Sequence, residues 1–296
     1  LRQIYDQYLE DQAAVADPIR ENTGPIMCGY TDLDEILGGV QRSDLVILGA
    51  RPSLGKSTLA LNICLNAAKN GSTAGVFSLE MSREQLALRI LSSEAEIDSH
   101  RLRLGLLTEA EGERITDAIG LLSDLPVYID DTPFQSMIEM RSKSRRLSLE
   151  HGLDLLVVDY LQLIQGRGGR SDNRVQEISE ISRSLKIMAR DLNLALICCS
   201  QLSRGVEQRT GHRPMLSDLR DSGSIEQDAD VVMFLHREDV YTTEDEWAQQ
   251  NPGRPYPKNV ADLIVSKHRN GPTGSLQLYF RDNFVRFDSL ARVDDF

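Results

Sequence analysis

Between Leu45 and Leu61 the chain reads LVILGARPSLGKSTLAL, an apolar run, a Gly/Pro/Ser turn closing on Gly55, Lys56 and Ser57, and then a helix-forming run. A buried strand that feeds a tight loop and then a helix builds a cradle for an anion, because successive backbone N–H groups curl around it and the helix dipole adds positive potential. In such a loop a lysine at the place of Lys56 reaches the β- and γ-phosphates of a nucleoside triphosphate, and a hydroxyl at the place of Ser57 ligates Mg²⁺. Arg51, Pro52, Ser53, Gly55, Lys56, Ser57 and Thr58 are the candidate nucleotide-binding residues. The strict pattern has a glycine five residues before Gly55, and here Ala50 stands there with Gly49 just before it.

Phosphoryl transfer asks a protein mainly for positioning and charge stabilisation, so an acid for the metal, a group for the attacking water and a γ-phosphate sensor should stand near the cradle. Asp159 follows the apolar residues Leu155 to Val158 on a strand expected beside the phosphate-loop strand, and with Ser57 it is the candidate metal ligand. A strand-ending aspartate that caps a turn is the plainer reading. Glu80 closes a second apolar run, read as a strand over residues 74–81, and is the candidate general base. A carboxylate placed for a helix dipole is its plainer reading. Gln201, at the end of the strand after that of Asp159, is the candidate γ-phosphate sensor, and an ordinary surface glutamine fits its chemistry equally.

The elements that carry these residues alternate. Residues 1–20 place Leu1, Ile4, Tyr5, Tyr8 and Leu9 near helical spacing and stop at Asp17-Pro18, an amphipathic arm expected to dock on a neighbouring copy. A linker to residue 25 separates this arm from one domain over 26–296. Residues 30–39 predict a short helix closed by glycines. Ser82 with Gln85 and Thr108 with Glu111 read as capping boxes. Further buried strands are expected over 125–130, 153–163, 194–200, 230–235 and 260–265, with a basic helix carrying Arg141 to Arg146 and another helix ending near Leu192. Residues 238–257, acidic and Pro-rich, read as exposed, and a terminal hairpin is expected to hold Phe284 and Phe287 on its second strand. Strands alternating with helices predict an α/β fold, a doubly wound, mostly parallel sheet with ligands at the carboxyl ends of its strands.

The chain has 296 residues, 41% of them hydrophobic, and a formal net charge of −12. That charge argues against a general polyanion binder, so any nucleic acid must be met locally. No apolar run reaches the ~18 residues of a membrane span, and the first residues are not a signal peptide, which reads as a cytoplasmic protein. Cys28, Cys64, Cys198 and Cys199 lack metal-ligand spacing and read as core thiols. The first residue is Leu1, which reads as a fragment of a longer chain.

Six stretches, GARPSLGKS at 49–57, FSLEMS at 77–82, DYLQ at 159–162, SQLSR at 200–204, LSDLRDSGSIEQDAD at 216–230 and KHRNGP at 267–272, together resemble the C-terminal motor of the replicative DnaB-type DNA helicases. They occur in the family's order, from about Tyr30 to the end. The resemblance implies a RecA-like P-loop NTPase fold, a homohexameric ring, and ATP-driven translocation on single-stranded DNA, with ATP and Mg²⁺ as cofactors and primase and a helicase loader as partners. Glu80 then resembles the catalytic glutamate, Asp159 the Walker B acid and Gln201 the sensor, while Arg269 with Lys267 resembles the finger supplied to the neighbour's ATP. Arg167, Arg170 and Arg174 match the first DNA-binding loop, and Arg213, Arg220, Asp221 and Gly223 the second. The family usually has Glu at the place of Asp221 and Met at the place of Leu54. On this resemblance the family's separate N-terminal collar is expected to be missing from the chain, and residues 1–20 resemble the linker helix. A RecA-type recombinase or repair ATPase forming filaments is the alternative within the fold, and an NTP-binding switch without DNA the alternative outside it.

Overall fold

Aliphatic runs without a helical period suit strands covered by helices on both faces, since a parallel sheet so covered leaves no side for water. In the computed structural model, which describes residues 24–166, 174–209, 211–219 and 223–290, they form β1 (Leu45–Ala50), β2 (Ala74–Ser78), β3 (Val127–Asp130), β4 (Leu155–Asp159), β5 (Ala195–Gln201) and β6 (Val231–His236). These six run parallel. The strands β7 (Val260–His268), β8 (Gly274–Arg281) and β9 (Arg286–Ser289) extend the sheet antiparallel. Among the described residues the order is β3-β2-β4-β5-β1-β6-β7-β8-β9.

The helices are α1 (Thr31–Leu37), α2 (Lys56–Lys69), α3 (Arg83–Ala95), α4 (Ser99–Leu104), α5 (Glu109–Ser123), α6 (Met137–His151), α7 (Arg174–Asp191), α8 (Gly223–Asp228) and α9 (Glu244–Gln250). Successive strand residues point to opposite faces, so the sheet carries two cores. Val46, Leu48, Val157 and Ile197 pack with Leu59 and Ile63 of α2 on one face. Ile47, Val158 and Leu196 pack with Ile181, Leu185 and Met188 of α7 on the other. This is the doubly wound α/β architecture that the alternation of elements predicts, and both capping boxes are present, on α3 and α5.

The displaced glycine of the phosphate loop has a packing reason. A Cβ on Gly49 would lie 2.8 Å from the Phe234 ring on the paired strand β6, whereas Ala50 sits in the core at 1% exposure.

Several expectations need correction. The strand of Asp159 is not beside the phosphate-loop strand: β5 lies between β4 and β1. Pairing order is set by how the crossover helices pack, which the apolar runs alone do not encode. β2 stops at Ser78, because the Ser78 hydroxyl donates to the Met81 carbonyl at 2.6 Å and turns the chain, leaving Glu80 exposed beyond the strand. Phe284 lies in a turn and only Phe287 is on β9. Residues 238–257 have no buried residue, in keeping with the exposed reading, and add a helix to it, α9, started by a capping box of Thr243 with Glu246. The helix α4 is an addition to the elements read from sequence. The amphipathic arm at 1–20 and the candidates Arg167, Arg170, Arg220 and Asp221 lie outside the described residues.

Candidate functional site

Gly55 has φ +101°, a conformation that side-chain-bearing residues rarely adopt, and it opens α2 with no side chain capping the first turn. The N–H groups of that turn have no partner inside the helix, so the donors and the dipole both face an anion at this end. Lys56 stands over the same opening. Its Nζ is 2.9 Å from Oδ1 of Asp159, with the two side chains only 11% and 8% exposed, and 4.5 Å from the centre of the Tyr160 ring. Burial alone would lower the Lys56 ammonium. Cys199, Asp159 through charge and hydrogen bond, and Glu80 outweigh that and hold it above the usual lysine range. Asp159 meets Lys56 across an intervening strand because α2 packs over the face shared by β1, β5 and β4.

The loop, Glu80, Arg89, Tyr160, Gln201 and Phe280 line one cleft of about 790 Å³ at the carboxyl ends of the parallel strands. Arg51, Pro52, Ser53, Ser57 and Thr58 all belong to this lining. The Arg51 guanidinium is turned away from the cradle, donating to the Leu202 carbonyl at 2.8 Å and to Glu207 at 2.6 Å. Of these groups, the Ser57 hydroxyl and the Asp159 carboxylate on Lys56 are the two read from sequence as metal ligands. Among the described residues no three His, Cys, Asp or Glu gather to hold a metal by themselves. Two protein oxygens suit an ion such as Mg²⁺, which keeps waters and takes phosphate oxygens. The uncapped helix start, the buried ammonium and this donor pair therefore fit a Mg²⁺-bound nucleoside triphosphate.

Arg269 and Lys267 are not in this cleft. Lys267 lies near the carboxyl end of β7 and Arg269 just beyond it, and β7 is antiparallel to β6, so His268 pairs with Val231 at the start of β6. That places both at the amino edge of the parallel strands. β1 is six residues long, so the two edges are separated by about 17 Å at ~3.3 Å per residue. Arg269 donates through Nη2 to the Gln227 carbonyl at 2.9 Å, is ion-paired through Nη1 with Asp230 Oδ1 at 3.1 Å, and leaves its side chain 48% exposed. Lys267 donates to the carbonyls of Glu226 and Ala229 at 2.5 and 2.7 Å. Burial first, and then the charge of Arg269, hold the Lys267 ammonium below the usual lysine range.

Of the DNA-binding candidates, Arg174, Arg213 and Gly223 are described. Arg174 opens α7, donating to the Gln162 carbonyl at 2.6 Å and ion-paired with Glu177. Glu177 also accepts from the Gly166 N–H at 2.9 Å, so both ends of the first basic segment are tied to one carboxylate. Gly223 opens α8, and the hydroxyls of Ser224 and Ser179 meet at 2.7 Å, which sets the first turns of α8 beside α7. Arg213 lies apart, 3.5 Å from Asp262 on β7.

Residues 25–289 match the model of the DnaB-like helicase C-terminal domain. The chain belongs to this family. It is 50% identical over 276 residues to the replicative DNA helicase DnaB of Geobacillus stearothermophilus, covering 93% of this chain and 58% of that protein. It is also 50% identical over 271 residues to the replicative DNA helicase DnaC of Bacillus subtilis (strain 168), covering 91% and 58%. The chain thus spans a little over half the length of these relatives. Among solved structures, a DnaB-like replicative helicase studied with its interactions with primase aligns at TM-score 0.83 and 35% identity, over 95% of this chain and 66% of that one. A solved ATPase domain aligns at TM-score 0.85, again at 35% identity, over 97% and 98%. The named relatives are replicative helicases and carry no support for the recombinase reading.

Within this DnaB-type domain the geometry adds residues that sequence reasoning left out. Gln162 clasps Gln201: its side-chain amide donates to the Gln201 carbonyl at 3.1 Å and accepts from the Gln201 N–H at 3.2 Å. Its place in the DYLQ stretch was the available signal. Tyr160 lies under Lys56, and Phe280 and Val285 reach the cleft from the far end of the chain, where nothing local marks them.

The ion cluster at the Arg269 edge has a consequence for stability. Burial, and next the charge of Asp230, push the Asp44 carboxyl up from 3.8 to about 6, against Lys186, His268 and Arg269. A carboxyl with a raised folded-state pKa binds its proton more tightly in the folded chain, so its contribution falls as pH rises from about 4 through about 6, and the cost is fully present above that. Asp44→Asn is expected to raise the thermal midpoint at pH 7 and lose that gain at pH 4. A gain equal at both pH values contradicts the assignment.

Proposed function

We propose that the chain is the ATP-hydrolysing motor of a replicative DNA helicase, working between subunits of a homohexameric ring to translocate on single-stranded DNA and unwind duplex. The observation that carries this reading is the split of the site: cradle, Asp159 and Glu80 on one edge of the sheet, Arg269 and Lys267 on the opposite edge. A complete set of groups for phosphoryl transfer then exists only where the cleft of one copy meets the finger edge of the next.

In this reading Lys56 leaves Asp159 and takes up the β- and γ-phosphates, while the first-turn N–H groups of α2 hold the oxygens. Ser57 and Asp159 would hold Mg²⁺, which when bound would supply charge neutralisation at the phosphates. Glu80 accepts the proton of the attacking water, and its exposure in the cleft lets that water reach it. Gln201 senses the γ-phosphate, and Arg269 with Lys267 of the neighbouring copy stabilises the transition-state charge. Primase is a partner supported by the DnaB-like helicase structure described with it. A helicase loader as a further partner and a cytoplasmic location are part of the same proposal. Among the described residues no helix is long and apolar enough to cross a membrane.

The test is ATP hydrolysis with and without single-stranded DNA, together with displacement of a labelled strand from a forked duplex. Stimulation by the strand, with displacement that requires ATP, is the expected result; hydrolysis indifferent to DNA supports an NTP switch instead. The strand itself is assigned to the two basic segments, Arg167, Arg170 and Arg174 in one and Arg213, Arg220, Asp221 and Gly223 in the other. Neither segment contains an aromatic side chain, so binding rests on phosphate contacts and is indifferent to base sequence. Arg220→Ala is expected to weaken binding equally for all sequences and to flatten its salt dependence by about one unit of slope per lost contact. An unchanged slope places the strand elsewhere.

A further inference from the structure

We infer that Asp230 is the positioning residue for Arg269, holding the guanidinium at the sheet edge so that it meets the neighbouring copy in one orientation; the inference rests on the trans-acting role given to Arg269 above. Asp230 is 3% exposed and precedes β6. Its Oδ2 accepts from the Leu45 N–H at 2.8 Å and from the Lys186 ammonium of α7, while its Oδ1 faces Arg269 Nη1 at 3.1 Å. The Arg269 backbone N–H also donates to the Asp230 carbonyl at 2.8 Å. With Nη2 on the Gln227 carbonyl, the arginine is fixed at three points, two of them on its guanidinium.

A long side chain reaching across a subunit boundary loses rotamer freedom when it engages, and an arginine already held on a buried carboxylate has given up much of that freedom beforehand. A guanidinium has five N–H donors in a fixed fork. Two nitrogens face Asp230 and Gln227, and the remaining donors stay on the exposed side. The anchor is also stiff from behind. Asp230 is tied to the first residue of the phosphate-loop strand through Leu45, and Ser182 of α7 donates to Asp228 Oδ2 at 2.7 Å. The turn that carries Asp230 therefore cannot shift without moving β1 or α7. Misplacement of a reacting group by about 1 Å costs on the order of 10²-fold in rate.

The test is Asp230→Asn. Its single side-chain oxygen can still accept from the Leu45 N–H and the Lys186 ammonium, now without the charge of the Lys186 ion pair, and its NH₂ group confronts Arg269 with a donor. The expected result is a fall in kcat for ATP on the order of 10²-fold with little change in KM, beside a thermal midpoint lowered by the loss of the Lys186 charge pair. In assemblies mixed with Lys56→Ala, hydrolysis is expected to recover above that of either variant alone, because the intact cleft of an Asp230→Asn copy then faces an intact finger. Wild-type or increased turnover in Asp230→Asn overturns the inference, the increase showing that the carboxylate restrains the arginine. Loss that mixing does not restore overturns it too, as a defect inside the copy. Arg269→Ala is the control for the underlying reading. If Arg269→Ala loses turnover and Asp230→Asn does not, only the positioning role fails; if Arg269→Ala itself keeps turnover, the trans role fails with it.

Discussion

Lys56→Ala is expected to abolish nucleotide binding and with it all ATP-dependent activity. The ammonium is the cation that stands over the uncapped start of α2, and the other cation of the loop, Arg51, is committed to the Leu202 carbonyl and Glu207. Removing it also leaves the Asp159 carboxylate, 8% exposed, without its partner, so two anions then face each other when ATP enters. Glu80→Gln separates binding from chemistry. The glutamine keeps the shape of an exposed side chain in the cleft but cannot take a proton from water, and loss of a general base costs about 10²–10⁴-fold. ATP affinity measured beside steady-state hydrolysis should show Lys56→Ala losing both and Glu80→Gln losing only the second. Retained turnover in Glu80→Gln removes it from the base role.

What could be read from the chain divides along local and non-local lines. The strand, loop and helix of the cradle depend on neighbours in sequence, as do the capping boxes of Ser82 with Gln85 and Thr108 with Glu111, and these appear as read. The place of β5 between β1 and β4 does not, since identical apolar runs pair in any order until the crossover helices pack. Glu80 left its strand because one hydroxyl, Ser78, turned the backbone three residues before the end that the apolar pattern indicates. Phe280 became a site residue only through partners distant in sequence, and the same partners gave Gln162 and Asp230, each already inside a quoted stretch, their roles. The separation of Arg269 from its own cleft is likewise a property of sheet order: an antiparallel β7 carries its carboxyl end back to the edge where β6 begins.

Arg269→Ala should leave the fold and ATP affinity of each copy intact and lower hydrolysis on the order of 10³-fold or more, the scale set by arginine fingers in other NTPases. The side chain is 48% exposed, and its removal takes away one of several donors to Asp230, which retains Leu45 and Lys186. A residue so placed has no route to the nucleotide of its own copy. Mixed assemblies of Arg269→Ala and Lys56→Ala test the composite site most directly, because each variant lacks a different half. The account predicts hydrolysis in the mixture above that of either variant alone, rising as the two are brought to equal amounts. Mixtures no more active than the separate variants, across all ratios and with assembly confirmed by mass, contradict it.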